Sequence, residues 1–122
     1  MLTTDNSCAA TLLLPTDRGM KVIPVATIVR VEAISNYSKL YFSDGRTLVV
    51  ARVLRRFVEC LSPNQFVRIH HKHLVNMQWL HVYTSDALQT VLSTGEVLPV
   101  SRRKEKAAKT AVMRWQQNQV AT

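Results

Sequence analysis

Apolar and polar residues alternate with a period of two along most of the chain, and two stretches switch to helical spacing. Near the N-terminus, "TLLLP" and "MKVIPV" flank "TDRG". Asp17, Arg18 and Gly19 supply turn chemistry, so these runs are predicted to pair as a hairpin. Pro15 and Pro24 cannot donate to a ladder, which pushes these strands to a sheet edge or ends them there. In "ATIVRVEAIS", Ile28, Arg30, Glu32 and Ile34 alternate with Val29, Val31 and Ala33, the pattern of a strand with at least one covered face. Leu40, Tyr41 and Phe42 form the next strand, "SDG" turns the chain, and Thr47 to Val50 return. "QFVRI" is a further strand. "WLHVYT", "ALQTVLS" and "EVLPV", joined by "SD" and "TG" turns, read as a meander.

The helical stretches are equally local signals. Between Arg52 and Leu61, the residues Val53, Leu54, Phe57, Val58 and Leu61 predict an amphipathic helix, with Arg52, Arg55, Arg56 and Glu59 on its wet side. Ser62-Pro63-Asn64 stops it. The last segment, "SRRKEKAAKTAVMRWQQNQVAT", is rich in helix formers, with Ser101 as N-cap and Ala108, Val112 and Trp115 on one face. Residues 1–10 are small and polar and are expected to be loosely ordered. The fold class is therefore mainly β, with small antiparallel sheets, one short central helix and a C-terminal helix.

Composition narrows the class of function. A chain of 122 residues, 47% hydrophobic, fits one domain and one core. No apolar run is long enough to cross a bilayer, and no cationic region precedes the short apolar patch near the N-terminus. Cys8 and Cys60 are far apart and form no CxxC pair, so a disulfide framework is not expected and a reducing cytoplasm is the expected location. The charge changes the picture more. Sixteen Lys and Arg against eight Asp and Glu give a formal +8, a field that attracts polyanions.

The stretch "FVRIHHKHLVN" raises the question of chemistry, since it holds three histidines and two cations. Adjacent histidines face apart, no acid lies close in sequence, and HExxH and CxxC spacings are absent, so no metal site is predicted. Nothing resembles a nucleophile elbow or triad, and the three glycines all fall at turns, leaving no phosphate cradle. The chain is not expected to be an enzyme or to need a cofactor. Cations do cluster just past strand ends, in "SNYSK" (Ser35 to Lys39), "HHK" (His70 to Lys72) and "SRRKEK" (Ser101 to Lys106). If these share a face, Arg and Lys there can neutralise phosphates while Arg, Asn and His reach base edges.

Taken in order, "VATIVRVEAISNYSKLYFSDGRTLVV", the amphipathic helix, "FVRIHHKHLVN" and "LPVSRR" resemble the LytTR DNA-binding domain of bacterial transcription regulators. The resemblance covers roughly 22–110. It implies a mainly β fold whose loops enter successive major grooves, usually at direct-repeat sites. The base-reading positions it implies are Tyr37, Ser38, Lys39, His71 and Arg102, and the phosphate partners Arg68, Lys72, Arg103 and Lys104. His70, Leu74, Val75 and Asn76 would frame the second loop, with Phe66 and Ile69 in the core. The family's common "H-R-S" reads His70-His71-Lys72, so an imidazole stands where a guanidinium is usual. The expected organisation is an N-terminal segment with an edge strand (1–19), the LytTR-like domain (20–110) and a C-terminal helical extension (111–122). With about twenty residues ahead of the fold, a standalone regulator without a receiver domain is expected. It would bind double-stranded DNA, with a homodimer on DNA and a regulatory protein partner as further expectations. A second reading keeps the fold as a regulatory interaction module that binds a partner protein, such as a membrane-bound inhibitor, rather than acting mainly through DNA.

Overall fold

The computed structural model describes residues 11–84 and 86–121. The expected loose segment 1–10, with Cys8, and Ser85 of the predicted "SD" turn lie outside the described residues. The first hairpin forms as expected. Strands β1 (Thr11–Thr16) and β2 (Gly19–Pro24) pair antiparallel, with Thr16 opposite Gly19 and Pro24 opposite Thr11. Gly19 closes the turn at a φ of 123°, which a side chain would strain.

Five strands build the central sheet: β3 (Ile28–Ile34), β4 (Tyr37–Phe42), β5 (Thr47–Val50), β6 (Phe66–His70) and β7 (His73–Asn76). Their spatial order is β5-β4-β3-β7-β6, and every neighbouring pair is antiparallel. Strands β8 (Leu80–Thr84), β9 (Gln89–Leu92) and β10 (Val97–Pro99) form the predicted three-stranded meander. Helix α1 spans Leu54–Cys60 and helix α2 spans Arg102–Ala121. No helix among the described residues is long and apolar enough to cross a membrane.

Where a single core was expected, two apolar clusters pack on the faces of the central sheet. One joins Leu12, Leu14 and Ile23 of the hairpin and Leu54 and Phe57 of α1 to Ile28, Val31, Leu40 and Leu74. The other joins Val29, Val67, Ile69 and Val75 to Leu92 and Leu98 of the meander and Ala108 of α2. The layered arrangement follows because a sheet with two apolar faces needs cover on both.

Strict alternation in β3 fails at one point. Ile28 pairs with Phe42 but Arg30 pairs with Tyr41, so Val29 is an extra residue in a bulge. The bulge shifts the phase, and Val29 and Val31, expected on one face, enter different clusters. Helix α1 is shorter than predicted: Val53 precedes it in extended conformation, and Val53 and Val58 stay exposed while Leu54, Phe57 and Leu61 are buried. Ser101 caps α2 as expected, its Oγ accepting from the Lys104 amide at 3.2 Å. That helix runs unbroken through the expected boundary at 110, and Ala111, Val112 and Trp115 pack on the same cluster as Ala108.

Candidate nucleic-acid interface

Topology decides where the polar segments meet. Strands β3 and β6 both run antiparallel to β7, so they finish at the same end of the sheet. The β3–β4 turn at Ser35 and Asn36 and the β6–β7 turn at His71 and Lys72 therefore project together, and the Ala33 amide donates to the Lys72 carbonyl at 2.9 Å. The Ser101 amide donates to the Ile69 carbonyl at 2.9 Å, which sets the start of α2 beside the end of β6. All three cation-bearing segments thus gather at one end, called here the loop end. Among the described residues, none of Lys39, Lys72, Arg102, Arg103 and Lys104 forms an ion pair.

The first segment departs from expectation in detail. It was expected to turn over Ser35 to Lys39, but β4 already begins at Tyr37, opposite Ile34, and Ser35 takes a φ of 55° in a two-residue turn. Alternation then starts at Tyr37. Tyr37 is exposed and Lys39 half-buried, with its Nζ 5.1 Å from the centroid of the Tyr41 ring. Ser38 points the other way and is fully buried, its hydroxyl donating to the Arg52 carbonyl at 2.6 Å. Ser38, expected to touch a base, has its hydroxyl committed to this backbone carbonyl.

His71 and Lys72 are exposed at the tip of the second loop. Behind them, His70 Nδ1 accepts from the Lys72 amide at 3.2 Å, and its ring stacks on His71 at a centroid distance of 4.5 Å. His73 lies 5.3 Å from His70 and is buried. Burial lowers the pKa of His70, helped by the neighbouring His71 and Lys72. Burial, with Arg30 close by, takes His73 down to about 4. Arg68, expected as a phosphate partner, lies beneath the same loop. Its half-buried guanidinium donates to the His71 carbonyl at 2.6 Å, so it braces the loop from below. Asn76 is fully buried and ties strands together, donating to the Ile28 carbonyl and accepting from the Gln78 amide.

In the third segment, Arg102 and Arg103 are exposed and Lys104 is half-buried. The turn at Ser101 starts the helix so that its first residues face outward while Val100 and Ala108 anchor it.

A charged network centred on Arg30 was not foreseen. Arg30, 6% exposed, donates from Nε and Nη2 to the two carboxylate oxygens of Glu96 at 3.2 and 2.8 Å. It also lies 3.7 Å from Glu32 and stacks over the Tyr41 ring at 3.6 Å, while the Tyr41 hydroxyl donates to Glu32 at 2.7 Å. Hydrogen bonding to Arg30 holds the Glu96 carboxyl below its ordinary pKa. The alternation of Arg30 and Glu32 with apolar residues was a visible signal. Their partner Glu96, 66 residues from Arg30, was not.

A family model described as the LytTr DNA-binding domain matches residues 18–113. Among solved structures, the fold is similar to the LytTr DNA-binding domain of a Bacillus cereus methyl-accepting/DNA response regulator. That match has a TM-score of 0.72 at 20% identity and covers 84% of this chain and 96% of that one. Among curated proteins no match is found.

Proposed function

The chain belongs to the LytTR DNA-binding domain family, and on that premise we propose that it reads duplex DNA by inserting the loop end of its central sheet into the major groove. Membership carries DNA binding and transcription regulation in general; the proposal concerns which side chains do the work. The observation that carries it is the convergence of three segments whose cations form no ion pair among the described residues. Such a surface is matched to a polyanion, and its exposed tips are matched to base edges.

Arg102 has the planar fork for bidentate contact with guanine O6 and N7. His71, at the tip of the second loop, offers one contact per ring nitrogen and so a different preference from the arginine common in relatives. Tyr37 and Lys39 extend the same surface from the first hairpin. Lys72, Arg103 and Lys104 fix the protein on phosphates without reading sequence. Ser38 and Arg68 act beneath them, holding the Arg52 and His71 carbonyls. Direct-repeat sites occupied by two copies belong to the same proposal.

Selection from a random duplex pool tests the reading, because half-site spacing reports stoichiometry as well as sequence. On the selected duplex, Arg102→Ala is expected to lose about 1–3 kcal/mol and to relax preference at one base step. Lys72→Gln is expected to weaken all duplexes alike. Selection of no motif, or an Arg102→Ala protein with unchanged affinity and preference, overturns the assignment.

A further inference from the structure

The three gathered segments do not exhaust the cations at the loop end. Strand β5 finishes at Val50, opposite Ser38 of β4. The Ser38 hydroxyl holds the Arg52 carbonyl at 2.6 Å, and Ser38 lies one residue inside β4, so Arg52 arrives at the loop end too. Helix α1 begins two residues later. Leu54 and Phe57 enter the core, which leaves Arg55 and Arg56 exposed on its outer side. None of these three arginines forms an ion pair among the described residues, although Glu59 follows on the same helix.

Their position matters more than their number. In the order β5-β4-β3-β7-β6, the loops named so far occupy the middle and the β6 edge, with Arg103 and Lys104 beyond β6. Arg52, Arg55 and Arg56 follow β5, at the opposite edge. Five strands at a spacing of about 4.8 Å span roughly 19 Å. A major groove about 12 Å wide has a phosphate backbone along each side. A reading surface seated in the groove meets both backbones, yet the segments assigned above supply flanking cations on one side only.

We propose that Arg52, Arg55 and Arg56 form a fourth contact, which clamps the phosphates of the second backbone and extends the footprint past the β3–β4 hairpin. The inference rests on the groove-reading function proposed above. The ligand is duplex phosphate, held by guanidinium groups that match it bidentately. The contact adds affinity and fixes orientation but carries no sequence preference.

The test uses the full chain and the duplex that the wild-type protein selects. Three proteins are compared across a salt series: wild type, Arg55→Gln/Arg56→Gln, and Arg46→Gln/Arg114→Gln. The last removes the same charge far from the loop end. Each phosphate contact contributes about 0.9 to the slope of log affinity against log salt, so Arg55→Gln/Arg56→Gln should lower the slope by about 1 to 2 with the selected motif unchanged. The Arg46→Gln/Arg114→Gln slope should match wild type. Trimming the duplex from one end only should then weaken wild type while leaving Arg55→Gln/Arg56→Gln indifferent. Equal slopes for the two variants, or equal responses to trimming by wild type and Arg55→Gln/Arg56→Gln, overturn the fourth contact. Failure of the wild-type protein to select any motif is a separate outcome, which removes the groove-reading function and this contact with it.

Discussion

The two ends of the central sheet are built from the same parts and differ in what neutralises them. At the far end, the β4–β5 turn pairs Arg46 with Asp44, whose carboxylate accepts from the Arg46 amide at 2.9 Å and lies 3.4 Å from its Nε. The β9–β10 turn brings Glu96, with Thr94 donating to it, onto Arg30. At the loop end, the braces are neutral acceptors. Carbonyls of Arg52, His71 and Ile69 and the Nδ1 of His70 take the hydrogen bonds that shape the loops. A carboxylate in those roles would hold a loop equally well but would cancel the field that the loop presents. The braces therefore differ by end: carboxylates hold the far-end turns, whereas neutral acceptors shape the loops, with Glu105 the acid that stands beside Arg102 and Arg103.

Breaking the far end should cost stability and leave recognition intact. Glu96→Ala strips Arg30 of its bidentate partner and leaves a buried guanidinium with only Glu32 at 3.7 Å. Removing one member of a buried pair costs about 3 kcal/mol, and the partial exposure of Glu96 keeps the expectation at the low end of the usual range. The urea midpoint should fall accordingly, and DNA affinity of the folded fraction should stay within about twofold. A midpoint equal to wild type would mean that Arg30 is solvated or repartnered at no cost.

The histidines at the loop end invite the complementary experiment, because one of them is buried. The unfolded chain protonates His73 near its ordinary value of 6.5, whereas the folded chain refuses the proton until about pH 4. The unfolded state thus binds more protons across that window, so stability is intact above pH 6.5 and declines as pH falls toward 4. By pH 5 the loss from His73 is about 2 kcal/mol, and His70, shifted in the same direction, adds to it. His73→Gln should flatten the profile between pH 6.5 and 5. An unchanged profile in that variant would assign the acid sensitivity elsewhere.

Much of this was legible in the sequence because it is local. The hairpins announce themselves through "TDRG" and "SDG", the meander through its turns, and α2 through its Ser101 cap. The three cation clusters were visible too, and resemblance supplied the reason to join them. What escaped was anything set by a single residue of register. The bulge at Val29 redistributes β3 between two clusters, and the two-residue turn at Ser35 starts β4 early enough to bury Ser38. Because strand side chains alternate with a period of two, a one-residue difference reverses every face that follows. The brace made by Arg68 was hidden for a related reason. Its charge suggested a phosphate, and only the fold shows that the nearest acceptor is the loop's own carbonyl.

The smallest effect is the sharpest test of directionality, since it compares two acids of equal charge. Asp44 sits in the far-end turn, and Glu105 lies in the first turn of α2, beside Arg102 and Arg103. Asp44→Ala and Glu105→Gln each raise the net charge by one. If total charge governs DNA binding, both gain affinity equally for any duplex at low salt. If the field is directional, Asp44→Ala binds like wild type while Glu105→Gln tightens by roughly twofold, the scale of one surface charge interaction. The gain should vanish as salt shortens the screening length below the distance to the nearest phosphate. Equal gains from the two substitutions would reduce the contrast between the ends to a matter of turn chemistry, with the cations acting only through their sum.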